Sequence, residues 1–440
     1  MSKKTVKSFK QKIKNAFWHH PKNFLISSYF KFPSKKLILI GITGTDGKTT
    51  TCHLVHHILT NAGIKAGLIS TTGAKIGTNE YPTKLHMTSP DPILIQRLLK
   101  KMVEDGVTHV VLEVTAHALD QYRFLGCHFE VAAITNTSHE HLDYFKNMEN
   151  YINVKAKLFK YSNKIILNKD DQSFDQIKKQ VNKPVKSYSI KTKSDFQATQ
   201  IKLSPTSLSF KVNDLSIVTD SSYYYQTYNI LTALAIIDSL KIDPQILIET
   251  VKKYPETSGR REEIPNSFKF RTIIDFAHTP AALENTLSSL KKNTPGNLIV
   301  IFGATGGRDQ SKRPFMGEVV SKLANIAIIT SDDTRTEKIE DINKQIISGI
   351  DSKKSEFFEM KSVENNSQIQ KILELSKKKF IYFNVPNRQD AFNLAIKIAQ
   401  TNDTVIACGK GHETTILNGK TEYPWSEAEA FRSAFRFRKL

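Results

Sequence analysis

A chain of 440 residues, 39% hydrophobic and 24% charged, exceeds one ordinary domain and can bury two or three cores. No apolar run reaches the roughly 18 residues of a membrane-spanning helix, and the start lacks the apolar core and cleavage site of an export signal. The net charge of +20 attracts polyanions, yet the lysines are scattered and no aromatic-interleaved RNA motif occurs, which favours a solvated lysine-rich surface over nucleic-acid binding.

Residues 1–36 hold ten lysines and no acidic residue. Val6, Phe9, Ile13 and Phe17 recur three and four apart, with Lys7, Lys10 and Lys14 on another face, which predicts an amphipathic helix. Pro21 is expected to end it, and Pro33-Ser34 to close the block. From residue 37 to about 257 the pattern is that of a mostly parallel α/β sheet. Strand-like runs at 37–40, 108–114 and 131–135 each end at a turn rich in polar residues, with helical patterns between them. Residues 186–220 differ: short alternating runs at 208–212 and 215–218 predict a small antiparallel β insertion, and a helix over 229–240 follows. A second doubly wound domain begins near Gly259, with strands at 272–275, 298–302, 326–330, 380–384 and 404–408. The expected domains are therefore 1–36, 37–257 and 258–440. Three cysteines (Cys52, Cys127 and Cys408) are odd in number and far apart, as in a reduced cytoplasmic protein without disulfides or a zinc cluster.

Ligands of such sheets bind beyond the carboxyl ends of the strands. The richest of these ends is the run Gly41-Ile42-Thr43-Gly44-Thr45-Asp46-Gly47-Lys48-Thr49-Thr50. A strand, a glycine-rich turn and a helix start make a phosphate cradle, because backbone N–H groups close on the anion and Lys48 supplies a point charge. The Thr49 hydroxyl can hold Mg²⁺. The spacing departs from the plain P-loop rule, since Ile42 stands five before Gly47. Glu113 ends a strand of the same domain, where a carboxylate completes Mg²⁺ coordination or is simply solvated. His139 and His141, two apart, do not suit a helical zinc site and read equally as a surface loop. Tyr151 and Lys155 share a helix face, on which physics alone makes Lys155 a snorkelling surface lysine.

Taken in order, 43–50, Glu113-Val-Thr-Ala-His117, Thr135-Asn136…His141-Leu142-Asp143 and Tyr151…Lys155…Leu158-Phe159 resemble the Mur ligases. The remaining motifs narrow the resemblance to the UDP-N-acetylmuramyl-tripeptide synthetase branch. They are Asn168…Asp170-Asp171, Asn229, Gly259-Arg260, 275–280, 312–317, 331–335 and 409–413, so the likeness runs unbroken over about 37–440. It implies a central P-loop α/β ATPase domain with the small β insertion, then a C-terminal Rossmann-like α/β domain. It also implies an ATP- and Mg²⁺-dependent carboxylate–amine ligase of peptidoglycan synthesis, working through an acyl phosphate on small-molecule substrates.

The resemblance implies residue roles as well. Gly44, Thr45, Asp46, Gly47, Lys48, Thr49 and Thr50 would serve the phosphates. Glu113, His141 and a carbamylated Lys155 would join Thr49 around metal. Asn229, Arg260, Asp275 and His278 match positions at the adenine, the ribose or the interdomain seam. Lys312 and Arg313 would present charge to the phosphates on closure. Thr88 and Ser89 match a loop contacting the muramyl substrate. For the amino acid, Arg308, Gly409 and Glu413 join the run Asp332-Asp333-Thr334-Arg335, which stands where the diaminopimelate-adding branch has Asp-Asn-Pro-Arg. The retained arginine favours meso-diaminopimelate over lysine. Ala116 and Phe145 depart from the family pattern. Family enzymes also carry a domain before the phosphate loop that binds the UDP end; with only 40 residues before Gly41, that domain is expected to be absent or a stub. The alternatives are a related ligase acting on a lipid-linked muramyl peptide, a folate or a cyanophycin-like polymer, or, from another class, a non-catalytic nucleotide-dependent or nucleic-acid-binding protein. A peripheral membrane contact through residues 1–30 is a further expectation.

Overall fold

The computed structural model describes residues 15–439, apart from Thr78, residues 82–88, Pro205, Ser222, Lys253, residues 255–257 and Glu364. The chain forms two units: Met1–Ser138 with Tyr144–Pro255, and His139–Asp143 with Glu256–Leu440. Of the amphipathic helix expected from residue 6 to Pro21, residues 6–14 lie outside the described residues.

The first unit is built on β1 (Ile38–Thr43), β2 (Ala66–Ser70), β3 (Gly73–Ile76), β4 (Asn79–Tyr81), β5 (His109–Glu113), β6 (Phe129–Ile134), β7 (Ser162–Asn168), β8 (Val185–Ser189), β9 (Phe196–Leu203), β10 (Leu208–Val212) and β11 (Leu215–Thr219). Their order in one sheet is β11-β10-β9-β8-β7-β6-β1-β5-β2-β3-β4. The middle strands are parallel, and their centres are apolar where both faces are covered. Alternate residues feed two cores: Ile40, Ile42, Val111, Val131 and Ala133 enter one, while Leu39, Val110, Leu112, Ala132 and Ile134 enter the other. The antiparallel stretch expected at 186–220 is present in β9 to β11, and it continues the main sheet through the parallel pair β8–β9.

α1 (His20–Tyr29) precedes the sheet and is preceded by a π-helical turn, Asn15–His19. Pro21 therefore starts a helix and does not end one. In a first turn its missing N–H is no loss, since that group has no intrahelical acceptor anyway. α2 (Lys48–Asn61) follows β1, α3 (Met148–Lys160) follows β6, and α4 (Gln226–Ser239) is buried along most of its length. α4 is apolar on nearly every side, as a helix inside a core must be.

The second unit holds β12 (Arg260–Glu263), β13 (Arg271–Asp275), β14 (Leu298–Phe302), β15 (Ile326–Ile329), β16 (Ser355–Phe358), β17 (Phe380–Asn384) and β18 (Thr404–Cys408), in the order β12-β13-β18-β14-β15-β17-β16. All pairs but β12–β13 are parallel. A hairpin of β19 (Thr415–Asn418) and β20 (Thr421–Pro424) stands apart. The helices used below are α5 (Pro280–Asn293), α6 (Lys312–Leu323), α7 (Arg388–Ile398) and α8 (Glu427–Lys439). Among the described residues no helix is long and apolar enough to cross a membrane.

Candidate active site

In the first unit, strand order reverses around β1, which lies between β5 and β6, and a crevice opens at such a point beyond the strand ends. The loop leaving β1 runs through Gly44 and Gly47, at φ 148° and 80°. A side chain at Gly44 would meet Thr135 Oγ1 at 1.8 Å, and one at Gly47 would meet Asn229 Oδ1 at 2.6 Å. Both glycines are therefore required by conformation and by close approach. The loop is pinned to the turn after β6. Thr45 N donates to Asn136 O (2.9 Å), Asp46 N to Asn136 Oδ1 (2.9 Å), Thr135 Oγ1 to Asp46 O (2.6 Å) and Ser138 N to Thr45 Oγ1 (3.0 Å). Asp171 holds that turn in place, accepting from Thr137 N and Oγ1 at 2.7 Å each, and Asn168 Nδ2 donates to Thr135 O at 2.8 Å.

Glu113, at the end of β5, is buried. Its carboxylate accepts from Thr49 Oγ1 (3.0 and 3.1 Å) and from Thr71 Oγ1 (2.7 Å) and N (3.0 Å). All are uncharged donors. Lys48 Nζ donates to Thr45 O at 2.6 Å, while Thr50 is buried as the third residue of α2. Lys155 is 1% exposed, so it is no snorkelling lysine: Nζ donates to Gly44 O at 2.6 Å and lies 4.5 Å from the Tyr151 ring centroid. Asn229, on α4, accepts from Thr51 Oγ1 (3.3 Å) and donates to Gln226 (2.9 Å). Ser89 pairs with Thr115 Oγ1 at 3.0 Å; its expected neighbour Thr88 lies outside the described residues.

In the second unit the loops after β13, β14, β15 and β18 carry the expected residues. Asp275 accepts from Ala277 N (2.9 Å); burial pushes its carboxyl up, against Arg260 and Arg261. The Arg260 guanidinium lies 4.3 Å from the Phe276 ring centroid. His278 Nε2 pairs with Glu140 Oε1 at 3.0 Å, and Lys312 Nζ donates to His278 O at 2.7 Å. His141 belongs to this unit, at φ 56°. Burial lowers its pKa, Glu140 opposes that, and Arg308, His278 and Lys312 add to it. Lys312 is likewise lowered by burial, against Glu140, Asp332 and Asp309. Arg313, fully enclosed, binds Glu337 (2.7 and 3.1 Å), Gln345 (2.9 Å) and Thr305 O (3.1 Å), so its charge is committed within the unit.

The chain matches the Mur ligase middle domain over residues 42–237 and the Mur ligase glutamate ligase domain over 259–411. It is 33% identical over 428 residues to the UDP-N-acetylmuramoyl-L-alanyl-D-glutamate–2,6-diaminopimelate ligase of Geobacillus thermodenitrificans, covering 94% of this chain and 82% of that one. The chain belongs to the Mur ligase family. The enzyme of the same name from Aquifex aeolicus is 37% identical over 413 residues, covering 92% and 78%. A solved structure of a ligase with that name, 27% identical, aligns with a TM-score of 0.60 over 92% of this chain and 79% of its own. Mycobacterium tuberculosis folylpolyglutamate synthase shares the fold alone, at 14% identity and a TM-score of 0.70 over 94% and 95%. Mur ligases are ATP-dependent, amide-forming enzymes, so the non-catalytic binder is displaced.

Asp332, Asp333 and Glu413, expected at the amino-acid pocket of this Mur ligase, sit around a lysine that sequence reasoning passed over. Lys410, 1% exposed, contacts Glu413 (2.5 Å), Asp333 (2.8 Å) and Asp332 (4.0 Å). Burial disfavours its charge, yet Asp332, Glu413 and Asp333 outweigh burial and hold its pKa above the ordinary value. The Asp332 carboxyl stays lowered despite burial, chiefly through Lys410. Gly409, just before it, lies within 2.9 Å of Asp332 Oδ2, measured from the position a side chain would take. Arg335, at φ 53°, passes Gly307, next to Arg308. Its Nε is buried and has no acceptor. Also missed were Arg123, which donates to Ser89 O (2.7 Å), and Arg388 on α7. Arg388 is buried against Glu427 of α8 and donates to the carbonyls of Ser331 (2.8 Å) and Cys408 (3.0 Å), one residue before the Asp332 and Gly409 turns.

Proposed function

We propose that this Mur ligase joins meso-diaminopimelate to a carboxylate of UDP-N-acetylmuramoyl-L-alanyl-D-glutamate in the cytoplasm, as a step of peptidoglycan synthesis. The substrate carboxylate attacks the γ-phosphorus of ATP and ADP leaves. The amine then attacks the acyl phosphate carbonyl, and phosphate leaves as the nitrogen loses a proton. Phosphoryl transfer depends on positioning and charge neutralisation. Lys48 and the N–H groups of the 44–50 loop orient the phosphates. Asn229 supports that loop in the first unit; in the second, Arg260, Asp275 and His278 are assigned to the adenosine end, and Arg313, tied to Glu337, positions its own loop.

A buried carboxylate met by hydroxyls fits a hard cation that takes oxygen ligands. Within the first unit, Thr49, Glu113 and Lys155 would hold Mg²⁺, which supplies charge neutralisation at the transferred phosphoryl group. For Lys155 this requires carbamylation: neutral Nζ attacks CO2, an N–C bond forms, and a proton leaves. Its tight enclosure beside the phosphate loop supports that role.

Ser89 would contact the muramyl substrate. Asp332, Asp333, Arg308, Gly409 and Glu413 would surround the amino acid, and the observation that carries its identity is the enclosed Arg335 Nε without an acceptor. A buried guanidinium nitrogen lacking a partner suits the distal carboxylate of diaminopimelate, which lysine does not have. An amino-acid-dependent phosphate-release assay with the muramyl dipeptide tests this. Diaminopimelate should exceed lysine, and Arg335→Ala should raise its KM tenfold or more, in line with a loss of about 1.5–3 kcal/mol. Preference for lysine, or an unchanged KM, would refute the assignment. Besides these small molecules, residues 1–30 are proposed to make a peripheral membrane contact, on the strength of exposed aromatic side chains there.

A further inference from the structure

The segment from Asn15 to Lys36 faces the first unit with its polar side. Asn15, Asn23, Ser27 and Ser34 are all buried. Each donates into residues 120–126 of the same unit. Asn15 Nδ2 reaches Asp120 Oδ2 (2.7 Å), and Asn23 Nδ2 reaches the carbonyls of Gln121 (2.9 Å) and Tyr122 (3.1 Å). Ser27 Oγ reaches Leu125 O and Ser34 Oγ reaches Gly126 O, at 2.7 Å each. The other side carries Phe17, Trp18, Phe24, Leu25 and Tyr29, exposed by 52–82%. Positions 17, 18, 21, 24, 25 and 29 recur three, four and seven apart, so they lie along one stripe. A surface helix ordinarily turns such a stripe to the core. Here it cannot, since turning it inward would strip Asn23 and Ser27 of their acceptors. An apolar stripe held outward marks a contact surface.

We propose that this stripe lies flat on an anionic lipid bilayer. The proposal rests on the peripheral membrane contact suggested above and gives it a face and a lipid class. Charge selects the occupant. Residues 1–36 hold ten lysines and no acid, and Lys22, Lys31, Lys35 and Lys36 of the same segment are exposed. A second copy docking through the same face would bring two wholly cationic segments together, which repel. An anionic bilayer meets both features: aromatic side chains seat at the headgroup boundary and lysines attract the acidic lipids.

The test sediments the full chain with vesicles of phosphatidylcholine alone or mixed with phosphatidylglycerol. The bound fraction should be at least about tenfold higher on the anionic vesicles, since several lysines contribute. Phe24→Ser with Leu25→Ser, and separately Lys31, Lys35 and Lys36→Gln, should each cut it about tenfold, with thermal melting and ligase activity on soluble substrate unchanged. Both side-chain sets are exposed, so neither variant should unfold the protein. Equal binding to the two vesicles would overturn the lipid class and leave a membrane contact. Binding to neither would overturn both. Self-association that the Phe24/Leu25 variant abolishes would assign the stripe to a second copy and also overturn the proposal. Loss of the ligase activity proposed above would show separately, in the phosphate-release assay.

Discussion

The phosphate loop of the first unit and the Lys410 cluster of the second solve one problem by opposite means. The loop from Gly44 to Thr49 is shaped by backbone: two glycines at positive φ, carbonyls capped by Lys48 and Lys155, and a carboxylate met by hydroxyls. The Lys410 cluster is shaped by charge, three carboxylates around one enclosed ammonium. A backbone cradle keeps its form as pH changes, and what it does depends on where each donor points. A charge cluster keeps its form only while its ionisation states hold. Damage to the first should appear chiefly as lost rate, and damage to the second chiefly as lost stability.

The largest effect belongs to the loop. Lys155→Ala and Glu113→Gln should each lower ligase turnover by about 10²-fold or more, the scale on which removal of one charge-stabilising group acts. ATP binding by calorimetry should persist, because the glycines and the hydrogen bonds to the turn after β6 still hold the loop. Small added carboxylates should partly restore Lys155→Ala if a carbamate stands there in the wild type. Full activity in Lys155→Ala would break the comparison on its first side.

The difference also explains what could be read from sequence. The loop was legible because its cause is local: strand, glycine, lysine and helix follow one another within a dozen residues. α2 starts at Lys48, because the turn at Gly47 already delivers the chain in helical direction. The strands beyond carboxyl-end motifs were legible through their apolar runs. β7 and β8 were not, since Asn163, Lys164, Lys186 and Ser187 interrupt the pattern where the sheet meets solvent. Lys410, Arg388 and Arg123 escaped notice for a different reason. A lysine or arginine looks like surface until its partners are known, and some of those partners lie 77, 57 and 34 residues away. Pro21 misled for want of context, because a proline opens a helix as readily as it closes one.

The second prediction tests the charge side. Lys410→Met should leave Asp332, Asp333 and Glu413 enclosed without their cation, which costs about 3–5 kcal/mol of stability at pH 7. The pH dependence has a definite sign. In the wild type the Asp332 pKa is lowered, so its contribution is present above the ordinary carboxylate value and fades as pH falls. Without Lys410 the buried Asp332 carboxyl titrates higher, the folded state takes up a proton there more readily than the unfolded one, and stability rises as pH falls. The gap between wild type and variant, read as urea midpoints, should therefore narrow towards pH 4. A gap that is constant with pH would mean that packing, not charge, holds the cluster.

The smallest effect sharpens the comparison at a site that uses both means. Glu337 accepts from the Gly307 N–H (2.6 Å) and Gln310 (3.1 Å), which is backbone and side-chain work, and also binds the enclosed Arg313 (2.7 Å). Hydrogen bonding from Arg313 is the chief cause that holds its pKa down at about 2, with the Gly307 N–H adding to it and burial opposing. Glu337→Gln keeps an acceptor for Gly307 but removes the charge opposite Arg313, so it should cost about 1.5–3 kcal/mol at pH 7. A depressed carboxyl stabilises above its unfolded value and loses that contribution as pH falls through the folded one. The wild-type advantage should accordingly shrink between about pH 4.5 and 2, where only the wild type has a carboxyl to protonate at this position. If the advantage is unchanged across that interval, the Gly307 contact carries the loop, and the second unit relies on backbone here as the first unit does at Gly44.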